Sequence, residues 1–270
     1  MITKIITFIF GSIIGSFLNV CIYRMPQGKS VVWPGSHCPL CEKRIPWYDN
    51  IPFISYLLLR GRCRFCRQKI SLRYLIVELL TALMFVALLD YFGLTYDFFV
   101  YLSLVCLLII ASFVDIKHRI IPDEISLGGI LLGFILNCIK GLSINPFTYN
   151  SRPMINSLLG IIIGGAVIYL TGKLFDLFYF KLLKRPPIQG ETESLGGGDV
   201  KLLAMIGAFL GWQKALLSFF IAPFFGAIVG IINLIIKKDH TIAYGPFLSL
   251  AALISLFWGS RIIALFFIRF

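Results

Sequence analysis

The feature that most constrains this chain is a series of apolar stretches, most of them long enough to cross a lipid bilayer. A helix needs about 20 apolar residues to span a hydrocarbon core roughly 30 Å thick. The stretches cover residues 2–23, 72–90, 97–115, 121–139, 154–180, 200–212, 215–236 and 245–268. With 58% hydrophobic residues, the 270-residue chain lies outside the usual composition of water-soluble domains. The pattern predicts an all-α integral membrane protein with about eight transmembrane helices.

The positive charge of the chain is distributed in a way that predicts its orientation. Of the 25 lysines and arginines behind the net charge of +12, most fall in loops that share one side if residues 24–71 are cytoplasmic. The positive-inside rule then places both termini outside. A nucleic-acid interface would need a basic patch on a folded soluble surface, interleaved with aromatic or polar side chains. We therefore expect the lipid bilayer, and no nucleic acid, as a partner.

The first cytoplasmic loop carries two C-x-x-C pairs. Their members are Cys38, Cys41, Cys63 and Cys66. Two such turns can direct four thiolates at one ion and complete a closed tetrahedral shell, which is the structural type of zinc site. Cytoplasmic thiols are kept reduced, which favours a metal over disulfides. Four ordinary cysteines or a redox pair are the alternatives.

The domain organisation follows from these two features. We expect a first transmembrane helix at 1–23, retained because no small-residue cleavage site follows it. A cytoplasmic zinc-binding loop is expected at 24–71, and a transmembrane core at 72–270.

Two aspartates mark the cytoplasmic ends of apolar stretches. Asp115 ends the third stretch, and Asp199 begins the short sixth one. A helix of about 14 residues covers only about 21 Å, so Asp199 is expected below the inner membrane surface, where it must line a watery cavity. Two like charges at one depth cannot both ionise cheaply and would share a proton, as in aspartic proteases. Asp115 and Asp199 are thus the candidate catalytic pair.

Other readings of the carboxylates stay open. Asp123 follows Pro122 and could cap a helix or replace Asp115 as the catalytic partner. Paired intramembrane aspartates also occur in cation or proton transporters, although these usually show internal repeats, and none is evident here. Glu78 lies within the second stretch and has no assigned role.

The glycines before Asp199 are candidate substrate-support residues. Gly196 and Gly198 can adopt backbone angles closed to other residues and allow a substrate backbone to approach without side-chain collision.

Taken in order, seven motifs resemble those of the bacterial type IV prepilin peptidases, the leader peptidase/N-methyltransferases of the GxGD membrane aspartic protease family. They are "GSFLNVCIYRMP", "HCPLC", "YDNIPFISYLLLRGRCRFC", "ISLRYLIVELLTAL", "DIKHRIIPD", "GGGDVKLLAMIGAFLGW" and "YGPFLSLAAL". The resemblance implies an enzyme of the bacterial inner membrane that cleaves the basic leader of type IV prepilins or pseudopilins at the cytoplasmic face. It also implies N-methylation of the new terminal residue by S-adenosylmethionine. The family's catalytic aspartates match Asp115 and Asp199, and its four cysteines, in a loop associated with methyl transfer, match the two C-x-x-C pairs.

Two points remain hypotheses. No motif indicates the S-adenosylmethionine site, so a peptidase without methyltransferase activity is the alternative within this fold. The leader is basic, as are the cytoplasmic loops, so we expect acidic residues to contact the leader: Glu191 and Glu193, with Asp123 and Glu124.

Overall fold

The computed structural model describes residues 1–143, 150–178, 196–237 and 243–267, and these residues form nine α-helices. The helices are α1 (Ile2–Arg24), α2 (Ile54–Leu58), α3 (Arg73–Phe92), α4 (Tyr96–His118), α5 (Asp123–Ser143), α6 (Arg152–Asp176), α7 (Gly197–Leu210), α8 (Trp212–Lys237) and α9 (Gly245–Phe267). Seven of the described helices, all except α2 and α7, are long and apolar enough to cross a membrane. The predicted all-α membrane architecture is confirmed, and the sixth predicted span is the 14-residue α7.

The chain divides into two compact units, Met1–Val114 and Asp115–Phe270. In the first unit, α1 packs closely against α3. A Cβ on Gly15 would lie 2.8 Å from the Cα of Glu78, so the absence of a side chain lets the two helices approach, as is common between membrane helices. The loop that joins α1 to α3 contains α2 and all four C-x-x-C cysteines. The predicted boundaries at residues 23 and 71 stay a prediction.

The second unit is built around the short helix α7. Every residue of 202–209 is buried, so α7 is apolar on all sides and enclosed by protein. Gly160 of α6 and Gly207 of α7 meet backbone to backbone, where neither position has room for a Cβ. Near its end, the carbonyl oxygen of Ala208 accepts hydrogen bonds from Ser157 Oγ at 2.7 Å and Asn137 Nδ2 at 3.0 Å. These contacts fix the position of α7 along its axis, and with it the position of Asp199.

Candidate active site

Asp115 and Asp199 line the same cavity of about 290 Å³. Asp115 lies in the last turn of α4 and is only 6% exposed, whereas Asp199 lies in the first turn of α7 and is half-buried. The end of one apolar helix and the start of a shorter one thus bring together two carboxylates 84 positions apart. The cavity wall also includes Arg119 and residues 196–198.

The first residue of α9 contacts Asp115 directly. The backbone N–H of Gly245 donates a hydrogen bond to Asp115 Oδ2 at 2.8 Å, and this contact is buried. A Cβ on Gly245 would lie 2.8 Å from the same oxygen and 3.3 Å from the carboxyl carbon. Any side chain here would displace the carboxylate, so Gly245 is required by this close approach.

Tyr244 precedes Gly245, and its side chain is affected by the negative charge of Asp199. Burial, with a further contribution from the negative charge of Asp199, raises the pKa of Tyr244 to about 12. The phenol therefore stays a neutral hydroxyl at any physiological pH. The sequence motif "YGPF" contains both residues, but nothing in the pattern indicated that Gly245 contacts Asp115.

Asp123 also lines this cavity, but it has a cationic partner. Lys201 Nζ lies 2.6 Å from Asp123 Oδ1, which ties the start of α7 to the start of α5. Asp123 is exposed and its carboxylate is paired with a lysine, whereas Asp115 is buried and accepts a hydrogen bond from a backbone N–H. The structure therefore distinguishes Asp123 from Asp115 by its surroundings.

The three glycines before Asp199 do not have unusual backbone angles, and only Gly198 lies close to a neighbouring side chain. Gly196 is extended, with φ −67° and ψ 135°, and neither Gly197 nor Gly198 has a positive φ. A Cβ on Gly197 would meet nothing within 4 Å, whereas one on Gly198 would lie 3.2 Å from Ile121 Cβ. Unusual backbone angles are therefore not found at these glycines. A role of Gly196 and Gly198 in supporting the substrate stays a prediction. Glu191 and Glu193 lie outside the described residues.

The four C-x-x-C cysteines form a compact cluster that could hold a metal ion. Their sulfur atoms all lie within 4.8 Å of one another, and the Sγ atoms of Cys38 and Cys66 are 3.9 Å apart. Zinc–sulfur bonds of about 2.3 Å in a tetrahedron require sulfur atoms about 3.8 Å apart, which this spacing matches. All four cysteines are free thiols.

The backbone explains why the cysteines converge, because the two turns repeat one geometry. The N–H of Cys38 bonds to the carbonyl of Lys43, and the N–H of Cys63 bonds to that of Gln68. Four residues after each first cysteine, Glu42 and Arg67 have left-handed φ values of 55° and 59°. The backbone N–H of Cys66 is the main cause that lowers the pKa of Cys63 to about 7, whereas the pKa of Cys66 is raised to about 11. Of these two thiols, Cys63 therefore reaches the thiolate form that metals bind more readily.

Comparisons with known proteins cover both units. The bacterial peptidase A24 N-terminal domain model matches residues 9–92, and the type IV leader peptidase family model matches residues 102–231. The chain is 40% identical to the prepilin leader peptidase/N-methyltransferase of Myxococcus xanthus, over 84% of this chain and 62% of the relative. It is 32% and 34% identical to the proteins of that name from Pseudomonas putida and Aeromonas hydrophila, over 95% of this chain and 91% of each relative. No solved structure matches the chain.

Proposed function

The chain belongs to the type IV prepilin leader peptidase/N-methyltransferase family, and on that premise we propose that Asp115 and Asp199 are the catalytic carboxylates of its peptidase. Family membership gives the chain the function of a prepilin leader peptidase/N-methyltransferase in a bacterial membrane. The observation that carries the assignment is the shared cavity: both aspartates line it, and the third acid there, Asp123, is paired with Lys201.

The cavity that the two aspartates share supports an acid–base hydrolysis that uses one water molecule. One carboxylate takes a proton from the water while the water oxygen bonds to the scissile carbonyl carbon, and the other carboxylic acid gives its proton to the carbonyl oxygen. When the tetrahedral intermediate collapses, the carbon–nitrogen bond breaks and a proton passes to the leaving amine. The two aspartates titrate as one unit in this scheme, and Gly245 keeps the carboxylate of Asp115 oriented.

The substrate is a prepilin or pseudopilin whose scissile bond reaches the cavity past the glycines before Asp199. The open space beside Gly197 suits an extended main chain. We place this cavity at the cytoplasmic face of the inner membrane, because the lysines and arginines cluster in loops assigned to that side. Glu191 and Glu193 are proposed to contact the basic leader. Replacing both by glutamine should raise KM for a basic-leader peptide, and unchanged kinetics would remove this contact from the scheme.

The four-cysteine cluster is proposed to hold one structural Zn²⁺ through Cys38, Cys41, Cys63 and Cys66. Four thiolates leave no open position for water or substrate, so the ion would link the two turns of the loop without taking part in hydrolysis. The methyl donor is proposed to be S-adenosylmethionine, which supplies an activated methyl group for the amine that cleavage releases. No residue of the chain is assigned to it.

The peptidase assignment is tested by comparing three aspartates on a prepilin-like peptide in proteoliposomes. Asp115→Asn and Asp199→Asn should each lower kcat by at least about a hundredfold, since positioned acid–base groups contribute roughly 10² to 10⁴ to rate. Asp123→Asn, the matched control from the same cavity, should retain cleavage within about tenfold. Loss of cleavage in Asp123→Asn with retention in Asp115→Asn would show that Asp123 is the partner of Asp199.

The zinc assignment is tested by metal analysis of the purified chain. One zinc per chain is expected, falling to a small fraction in Cys38→Ser. Less than about half an equivalent in the unmodified chain would contradict a closed four-thiolate site of the usual affinity.

A further inference from the structure

The starting point is Glu78, a buried acid that the peptidase scheme does not use. It is the sixth residue of α3 and is 8% exposed. On the same helix and at the same level, the exposed side chains are apolar: Ile76, Leu79 and Leu80. A span that exposes such residues faces lipid, so Glu78 lies at membrane depth. An ionisable group at this depth needs a specific partner.

Glu78 has two hydrogen-bond partners, the side chain of Ser16 on α1 and the backbone of the loop that carries the cysteines. The N–H of Phe53 donates to Glu78 Oε2 at 3.1 Å, and the ring of Phe53 stacks on Phe8 of α1 with 5.8 Å between centroids. Phe8 precedes the end of α1 at Arg24 by sixteen residues, or roughly 24 Å along the helix axis. The loop between the two C-x-x-C turns therefore descends along α1 and α3. It does not stop at their ends.

Irregular backbone at membrane depth is tolerated only where protein groups satisfy its hydrogen bonds. Glu78 supplies such a group for the N–H of Phe53. Phe53 itself has a φ of 59°, an uncommon conformation for a bulky residue, which persists only where the surroundings impose it. The hydrogen bond to Glu78 and the stacking on Phe8 are the contacts that impose it. The hydrogen bond to Glu78 and the stacking on Phe8 together anchor the loop to α1 and α3.

The anchored segment presents an apolar face directly after Phe53. In α2, Ile54, Leu57 and Leu58 have the spacing of one helix face and are 53%, 68% and 79% exposed. Ser55 points away from this face, is buried, and donates to the carbonyl of Tyr48. Exposed arginines follow at positions 60 and 62. Apolar side chains followed by cations are the pattern of segments that lie in an anionic membrane interface.

We propose that residues 51–59 are inserted into the membrane leaflet on the loop side, with Glu78 as the anchor of the loop backbone and the apolar face of α2 against lipid acyl chains. Phe53 contacts both Glu78 of α3 and Phe8 of α1. The apolar face of α2, which follows Phe53, therefore continues the lipid-facing surfaces of α1 and α3. The arginines at 60 and 62 then lie at the height of the lipid phosphates. The buried acid is thus a positioning residue for a membrane-inserted loop.

The test is fluorescence quenching by lipids brominated near the top of their acyl chains, with the full chain in proteoliposomes containing phosphatidylglycerol. The background replaces Trp33, Trp47, Trp212 and Trp258 by phenylalanine, and a single tryptophan is introduced by Leu58→Trp. The matched control is Gln68→Trp, an exposed position in the second C-x-x-C turn. We expect brominated lipid to quench the Leu58→Trp emission by more than about half and the control by less than about a tenth. Equal quenching at both positions would overturn the insertion.

Variants of Glu78 test the anchor separately from the insertion. Glu78→Gln keeps an oxygen acceptor for the N–H of Phe53 and should preserve the quenching of Leu58→Trp. Glu78→Leu removes the acceptor and should reduce that quenching toward the control value. Undiminished quenching in a folded Glu78→Leu variant would remove Glu78 from the anchor. If Glu78→Leu does not fold, loss of quenching in Glu78→Gln would overturn the anchor and its retention would support it.

A third outcome separates lipid from protein. An emission at Leu58→Trp that is blue-shifted but not quenched by brominated lipid would mean that a protein surface covers α2. A second copy of the chain or the apolar segment of a substrate could do so, and the bilayer contact would then be wrong.

Discussion

At the level of single residues, the contact between Gly245 and Asp115 leaves no room for a side chain. We expect Gly245→Ala to lower kcat by roughly 10- to 100-fold, because an added Cβ 2.8 Å from Asp115 Oδ2 must push the carboxylate out of place. KM should change little, since substrate binding does not depend on the orientation of this group. Steady-state kinetics on a prepilin-like peptide measures both parameters.

Gly128→Ala is the matched control for this substitution, since a Cβ there meets nothing within 4 Å. Its kinetics should equal those of the unmodified chain. If Gly245→Ala lowered the thermal midpoint and kcat in parallel, or raised KM alone, the positioning role of Gly245 would be contradicted.

At the level of helices, the position of α7 depends on its backbone contact with α6. Gly160→Ala should lower thermal stability by about 1–3 kcal/mol, because the new Cβ would overlap the carbonyl of Gly207, and backbone cannot yield as a side chain can. The same change should reduce cleavage, since α7 carries Asp199 at its other end. Thermal unfolding in detergent and the peptide assay provide the two readouts.

Gly165→Ala is the control on the same helix. Its Cβ would lie 3.7 Å from Ala204 Cβ, an ordinary van der Waals distance. Full stability and activity are expected. Equal effects of the two substitutions would mean that α6 tolerates no alanine in this region. The contact between Gly160 and Gly207 would then not be the cause of the loss.

The loop of the first unit is held together by an ion pair as well as by its cysteines. Arg64 donates from Nε and from Nη2 to the two carboxylate oxygens of Asp49, both at 2.6 Å. The hydrogen bond from Arg64 lowers the pKa of Asp49 below its ordinary value of 3.8. A depressed pKa means that the stabilisation is complete above the ordinary value and is lost only as the pH falls through the lower folded value. The pair is therefore fully formed at neutral pH.

We expect Asp49→Asn to accelerate zinc release to a chelator by a few-fold at neutral pH, because the segment before α2 would no longer be tied to the second C-x-x-C turn. The release rate measured with a chromogenic chelator checks this. Asp90→Asn breaks a different ion pair of the same unit, the exposed pair of Lys4 and Asp90 at 2.7 Å, and should leave the rate unchanged. A rate for Asp49→Asn equal to that of Asp90→Asn would show that the Arg64 pair does not support the cluster.

At the level of the whole molecule, the sequence predicts helices better than it predicts contacts between them. The apolar stretch 245–268 anticipated α9 (Gly245–Phe267) closely, because hydrocarbon thickness fixes the length of a span. The hydrogen bond from Gly245 to Asp115 joins residues 130 positions apart and involves a backbone group that every residue except proline carries, so no residue type signals it. The sequence could not predict that Glu78 accepts a hydrogen bond either, because the donor is the backbone N–H of Phe53. Cysteines and aspartates are recognisable because their side chains carry the chemistry.

The cysteine cluster and the aspartate pair lie in different compact units, and this division predicts two separable activities. The described wall of the aspartate cavity comes from residues 115–123 and 196–199, and includes no cysteine of the cluster. The double variant Cys38→Ser/Cys63→Ser should therefore lose zinc yet cleave a prepilin-like peptide within a few-fold of the normal rate.

The same division makes the converse prediction for methylation. Asp199→Asn should fail to cleave but should still transfer a labelled methyl group to a peptide supplied without its leader, whereas the double cysteine variant should lose this transfer, because the resemblance links its loop to methyl transfer. Mass spectrometry of the two peptides measures both reactions on one preparation. If removing zinc abolished cleavage as strongly as Asp199→Asn does, the second unit would depend on the metal-bound loop for its own chemistry, and the two activities would not be separable along the boundary at Asp115.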